Sequence, residues 1–397
     1  MRFAAFIVTL LLALPASAWW DTDFLNRKEI TLVDAEIIGG AHTDFPVLIA
    51  RTDTDFSAAR SDGFDIAFVN GDDTTQLDHE LEEWVDGTGE LVAWVRVPSL
   101  PTGSDDTIYV YYNKAAQATT MEDIVGTWNG DVDYRGVWHL NDDFLDSTDN
   151  SNDGTNNGST DFTTGFIADS QDFDGINDYI NNGNDTSLQI TSSITVGCWA
   201  ALQSTPVASD ALFSKQNNQA NNESWQIDVL PSRIPRFFKV AGTDFDIANC
   251  TTAMPTDGTW IYLVGTFDDT PNTSRCYYNG SQEGSVTGVG AINAGAWRVQ
   301  IGAQGVSGSP GRFADARIDE CRVAVGARST NWIDTEHNNQ SAPATFATFG
   351  AEEDAPSGAR RVIIIGKRLF RYLSSWFYVS REYPVPKAWK PAHPVVM

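Results

Sequence analysis

Carboxylates are the main chemical resource of this sequence: 53 of its 397 residues are Asp or Glu, against 26 Lys or Arg and five His. Two carboxylates facing each other about 5–5.5 Å apart, or further, can hydrolyse a glycosidic bond, and acids two residues apart on a strand share one face. Glu80 and Glu82 have that spacing, and Asp315, Asp319 and Glu320 form a second dense run. Clustered acids can instead hold a hard cation, because calcium takes roughly six to eight oxygen ligands from flexible loops. Asp146, Asp149, Asn150 and Asp153 share one loop, and Asp174 and Asp178 bracket Gly175. The expected calcium ligands are Asp146, Asp174, Asp178 and Asp319. The competing reading makes them turn formers that cap their own backbone. Sugar rings would stack on exposed aromatics, for which Trp225, Tyr277, Tyr278 and Trp297 are the candidates. Trp138, Trp199 and Trp260 fall in strand patterns and read as core. The sequence has no Gly-x-Ser-x-Gly elbow, Gly-rich phosphate loop or HExxH helix. His139 and His337 read as structural. The chain is therefore expected to bind rather than to catalyse.

The elements that must position these side chains read almost entirely as strands. Runs at 27–33, 45–49, 64–69, 91–97 and 107–112 are rich in β-branched and aromatic residues. Between them lie Gly39-Gly40, Asp62-Gly63, Asn70-Gly71 and Asp86-Gly87, which are turn chemistry. Further strands are expected at 136–140, 194–200, 211–214, 224–229, 236–240, 260–267, 275–278, 299–301 and 316–323. Turn signals about every ten residues, with no fixed repeat, indicate antiparallel sandwiches. The fold class expected is all-β: two consecutive sandwich domains of jelly-roll type, at 19–125 and 135–352.

The ends of the chain differ from this body. Met1-Arg2, an apolar stretch at 3–14 and the small residues Ala16 and Ala18 make the three parts of a signal peptide over 1–18. The mature protein is thus expected outside the cytoplasm or on the cell surface. Residues 353–397 form a basic, aromatic-rich tail: 358–397 hold eight Lys or Arg and one acid, Glu382. Such a tail could contact an anionic membrane or envelope polymer. The net charge of −27 excludes nucleic acid as an expected partner, since phosphate binding requires clustered Lys and Arg. Four cysteines, Cys198, Cys250, Cys276 and Cys321, contain no CxxC pair, so an exported chain would use them in disulfides, with three pairings open.

Two family resemblances are carried by specific runs. Trp20 with Phe24-Leu25-Asn26-Arg27-Lys28, Asp44-Phe45-Pro46-Val47-Leu48, Asp62-Gly63-Phe64-Asp65-Ile66, Glu80-Leu81-Glu82-Glu83-Trp84, Ala93-Trp94-Val95-Arg96-Val97-Pro98 and Ile108-Tyr109-Val110-Tyr111-Tyr112-Asn113 resemble the domain-of-unknown-function family 2341. Val137-Trp138-His139-Leu140, Phe173-Asp174-Gly175, Ile194-Thr195-Val196-Gly197-Cys198-Trp199, Tyr277-Tyr278-Asn279-Gly280 and Ile318-Asp319-Glu320-Cys321-Arg322-Val323 resemble the laminin-G-like branch of the concanavalin-A-like lectin and glucanase superfamily. This second resemblance implies two curved antiparallel sheets, calcium at the rim, and a glycan or extracellular protein as ligand in recognition or adhesion. It also implies the pairing of Cys198 with Cys321 and Cys250 with Cys276. The superfamily's hydrolytic branch carries alternating Glu, Asp and Glu on one strand; residues 135–350 contain no such series, and 315–320 come nearest with a different spacing. The alternatives are a secreted polysaccharide-acting enzyme and a structural envelope component. Non-reducing peptide mapping is expected to find at least one disulfide in the second domain; four alkylatable thiols would refute the exported reading with it.

Overall fold

The computed structural model describes residues 19–130, 133–218 and 223–356. The expected signal peptide and residues 357–397 of the expected tail lie outside them.

Two sheets build the first domain. One has the order β25–β1–β7–β3–β4, from Ala347–Asp354 (β25), Asn26–Leu32 (β1), Asp106–Tyr112 (β7), Ala67–Asn70 (β3) and Gln76–Leu77 (β4). The other, β2–β6–β5, comprises His42–Thr52, Glu90–Leu100 and His79–Val85. Alternate side chains of each sheet face the other. Ile30, Leu32, Phe68, Ile108 and Val110 thus meet Phe45, Val47, Ile49, Val95 and Val97 in one buried core. The short helix α1 (Ile124–Trp128) begins at Asp123, whose side chain accepts from the Gly126 amide and caps it.

The second domain is a larger sandwich. Its eight-stranded sheet runs β10–β11–β24–β13–β18–β19–β20, with β8 (Tyr134–Trp138) beside β24. These strands are Thr160–Phe162, Ser170–Asp174, Asp315–Val325, Ile194–Leu202, Ile261–Asp268, Thr273–Tyr278 and Ser281–Thr287 in that order. The facing seven-stranded sheet, β17–β16–β15–β14–β21–β12–β9, uses Asp244–Asn249, Pro235–Ala241, Trp225–Val229, Asp210–Lys215, Gln300–Ile301, Tyr179–Asn181 and Thr155–Asn157. A hairpin of β22 (Gln304–Val306) and β23 (Ser309–Gly311) stands apart. Between the sheets lie Trp138, Phe173, Val196, Phe213, Trp225, Phe237 and Leu263. Gly265 is required there, because a Cβ at this position would sit 2.1 Å from the Phe237 ring.

The disulfide Cys250–Cys276 links the end of β17 to β19, and so ties one sheet to the other. The expected Cys198–Cys321 bond is not formed; both are buried free thiols on adjacent strands. A β-bulge lies beside them: Gly197 pairs Arg322 and Trp199 pairs Asp319, so Cys198 faces two residues, Glu320 and Cys321, rather than one.

The outer face of the eight-stranded sheet is apolar too. Trp199, Tyr262, Val264, Tyr277 and Ala324 belong to the same buried cluster as the first domain's core. Helix α2 (Thr330–Ser341), followed by α3 (Pro343–Phe346), fills this junction. Trp332 packs on Phe45 with ring centroids 4.7 Å apart. Asn339 pairs with the edge of β2, its Oδ1 accepting from the Leu48 amide at 2.7 Å and its Nδ2 donating to the Leu48 carbonyl at 3.0 Å. The chain then returns to the first domain as β25, where Asn26 pairs Asp354 and Leu32 pairs Ala347. Arg27 bonds Glu353 at 2.8 Å, and the Tyr112 hydroxyl donates to Glu352 at 2.6 Å. The first sandwich is therefore completed by residues that follow the second. A chain ending after Phe346 should melt several degrees below one ending after Pro356, with the loss confined in hydrogen exchange to β1 and β7.

Candidate functional site

Two places gather chemically capable side chains. The first is a pocket of about 420 Å³ at the rim of the second sandwich. Strand β13 ends at Leu202, and the segment 203–209 crosses the rim before β14 begins at Asp210. The Gln203 amide donates to the Asp315 carbonyl at 3.0 Å, and the Ala211 amide to the Arg312 carbonyl at 2.9 Å. These bonds hold the walls of a hollow lined by Asp174, Asp210, Arg312, Phe313 and Asp315. Val207, at its lip, is 99% exposed. Burial, with Asp315 and Asp228 nearby, pushes the Asp210 carboxyl up to about 6. Half-buried aromatics lead away from the pocket: Phe313 lies 6.4 Å from Tyr179, and Arg298 lies over both Tyr179 and Trp297 at 5.9 and 4.5 Å. Lys215, buried and pushed down to about 8 by that burial, donates to the Trp297 carbonyl at 2.6 Å and fixes the far end of this strip.

The second place is the domain junction. Two β-bulges deliver its acids. In β5, Leu81 pairs Ala93 and Glu83 pairs Val92, which leaves Glu82 as the extra residue. In β24, Glu320 adopts a left-handed backbone with φ of 52° within the bulge opposite Cys198. The bulge turns Asp319 and Glu320, consecutive in sequence, away from the inner core together, while Ile318 and Cys321 keep facing it. His139, immediately after β8, stands among them. Its Nδ1 is 2.7 Å from Glu320 and 3.5 Å from Glu82, and its Nε2 is 3.2 Å from Glu80. Arg322 bonds Glu320 at 2.6 Å and Glu336 at 3.1 Å, and its guanidinium lies 4.1 Å from the Trp94 ring centre and 4.7 Å from that of Trp128.

Electrostatics divide these groups. Burial would lower the His139 pKa, but Glu320, Glu80 and Glu82 outweigh it and raise it well above the usual range. Burial would likewise raise Glu320 and Glu80; His139 holds both below their ordinary values, with Arg322 assisting at Glu320. Burial, reinforced by Glu320, raises Glu82 and Asp319 well above theirs. Glu80 and Glu320 thus carry the charge opposite His139 and Arg322, while Glu82 and Asp319 favour the neutral form. A cavity of about 310 Å³ reaches this cluster along Glu80, Glu82, His139, Asn141, Asp146 and Ser147.

The residues singled out by sequence scatter across the fold. Trp225 and Tyr277 are buried in the two cores, Tyr278 is half-buried on β19, and Trp297 belongs to the rim strip. Asp174 lines the rim pocket, and the Asp178 Oδ2 accepts from its amide at 3.0 Å. Asp146 accepts from Val137, Thr148 and Asn152 as the organiser of its own loop. Asp319 is fully buried at the junction, where its Oδ2 takes the amides of Phe166 and Ile167 at 2.8 and 2.9 Å. Asp210, Arg312 and Phe313 were not singled out, and only their proximity to Asp315 in sequence could have flagged the last two. His139 was read as structural, with no sign of its acidic neighbours from the other domain.

Residues 62–156 match the model of a domain of unknown function, DUF2341. Residues 173–334 match the Laminin_G_3 model, described as the concanavalin A-like lectin/glucanases superfamily. No curated protein matches the chain. Among solved structures, the binding domain of Paraclostridial Mosquitocidal Protein 1 is similar at 12% identity and a TM-score of 0.43, covering 52% of each chain. The chain thus spans about half the length of that structure. Domain 4 of AbnA, a GH43 extracellular arabinanase from Geobacillus stearothermophilus, in complex with arabinotriose, is 19% identical with a TM-score of 0.38, covering 53% of this chain and all of the domain. A SAP-like pentraxin from Limulus polyphemus is 17% identical with a TM-score of 0.31, over 36% of this chain and 69% of its own.

Removing Arg322 tests the junction directly. Arg322→Met leaves Glu336 buried without its cation and Glu320 with His139 alone, and is expected to cost about 3–5 kcal/mol in urea denaturation.

Proposed function

We propose that this chain is an exported recognition protein whose second domain binds glycan at the rim pocket. The observation that carries the reading is the pocket's composition. Three carboxylates and one guanidinium offer acceptors and donors for sugar hydroxyls, beside the Phe313 ring and an aromatic strip extending to Trp297. Polar groups converging on a concave surface beside ring faces are what an oligosaccharide requires. The match of residues 173–334 to a superfamily of lectins and glucanases agrees with it. The Cys250–Cys276 bond suits an oxidising compartment, in keeping with export.

Binding without hydrolysis is the proposed mode. The two acids that the sequence spaces for one strand face are engaged at the junction: Glu80 accepts from Ser147 and Trp128, and Glu82 from Trp94. Calcium, if it assists, would be held by Asp174, Asp210 and Asp315, since Asp146 and Asp319 are turned to amides elsewhere.

A glycan array followed by titration of the best oligosaccharide, in calcium and in chelator, tests the reading. Phe313→Ala and Asp174→Asn are expected to weaken binding about tenfold or more, near 1.4 kcal/mol, without lowering Tm. Tyr278→Ala should leave it unchanged. Binding that survives both rim substitutions would place the ligand elsewhere and refute the proposal.

A further inference from the structure

We infer that the domain junction is a binding site for one divalent transition-metal ion of zinc type, liganded by Glu82, His139 and Glu320. One ligand atom from each of these residues lies within 4.8 Å of the others, close enough to surround a single ion after small side-chain shifts. They come from both domains, two of them on bulged strands.

Each ligand is anchored by a neighbour. The Glu82 Oε2, 3.5 Å from His139 Nδ1, accepts from Trp94 Nε1 at 2.7 Å, and its Oε1 is buried with no hydrogen-bond partner among the described residues. The Glu320 Oε2 is taken by Arg322 at 2.6 Å, which leaves Oε1 facing His139 Nδ1. His139 Nε2 points to Glu80 at 3.2 Å, and Glu80 is itself anchored by Ser147 Oγ at 2.7 Å and by Trp128 Nε1. A carboxylate holding the distal nitrogen of a metal-bound histidine fixes its orientation and raises its basicity. Glu80 stands in that place. A fourth carboxylate, Asp319, stands on the same bulge of β24, and its Oδ1 is also buried with no hydrogen-bond partner among the described residues.

The donor set selects the ion. One imidazole nitrogen with carboxylate oxygens suits zinc or a neighbouring first-row ion, whereas calcium prefers oxygen alone and more of it. The cavity of about 310 Å³ touching Glu82 and His139 provides an entry path and room for a water or a ligand atom to complete the shell.

The test uses the full chain, stripped with chelator and titrated with zinc, manganese or calcium chloride by equilibrium dialysis and elemental analysis. Uptake of one zinc per chain is expected, with Tm rising by roughly 5 °C at a hundredfold excess over Kd. Glu82→Gln reproduces the shape of a neutral carboxyl, so it should fold with unchanged metal-free Tm while losing zinc about tenfold or more. His139→Gln should lose it too, and Asp174→Asn at the rim should not. No zinc uptake by the native chain, equal uptake by Glu82→Gln, loss in Asp174→Asn alone, or a preference for calcium would each overturn the assignment.

Discussion

A buried guanidinium governs the architecture. Arg322 is only 5% exposed, yet it remains charged because Glu320 and Glu336 flank it and two indole rings of the first domain cover it. An unpaired cation there would be intolerable, and either pair alone would be a weak source of stability. What the arrangement supplies is placement. Glu320 can reach Arg322 only through the bulge in β24, Glu336 only if α2 lies across the sheet, and Trp94 and Trp128 only if the first domain docks in one orientation. Polar groups with a single satisfying arrangement specify geometry in a way that the surrounding apolar contacts do not.

The apolar contacts supply the driving force. The eight-stranded sheet buries both faces, so β13 reads as a nearly continuous buried run rather than an alternating one. Its inner face meets the second sheet and its outer face meets α2 and the first domain. This burial excludes water from the junction and strengthens each charge interaction there.

Much of the fold was legible because strands with one buried face alternate and end at turn residues. The expected runs at 27–33, 107–112 and 194–200 correspond to β1, β7 and β13. The return strand β25 was not legible: its residues from Thr348 onward are half-buried or exposed, so no apolar alternation marks it. Residues 353 and 354, read as the start of the tail, belong to it. The rim was half legible through Asp174 and Trp297. The junction was not, because period-two reasoning cannot anticipate a bulge. Glu80 and Glu82 on one strand and Asp319 and Glu320 on another were each visible, but nothing local indicates that strands from different domains bring them to one histidine. The neighbouring strands of Cys198 and Cys321 were correctly paired, although both thiols are free.

The return of β25 to the first sheet has a consequence for biosynthesis. Asn26 and Asp354 are ladder partners separated by more than 300 residues, so the opening sandwich cannot close until the intervening one has been made. While the chain emerges, β1 presents an unpaired backbone edge, the kind of surface that recruits foreign strands. Collapse of the middle of the chain shortens the loop between β1 and β25 and brings the closing strand within reach. Any sequence change that slows the second sandwich lengthens the exposure of the first, and its penalty appears in yield and aggregation rather than in the stability of the finished molecule.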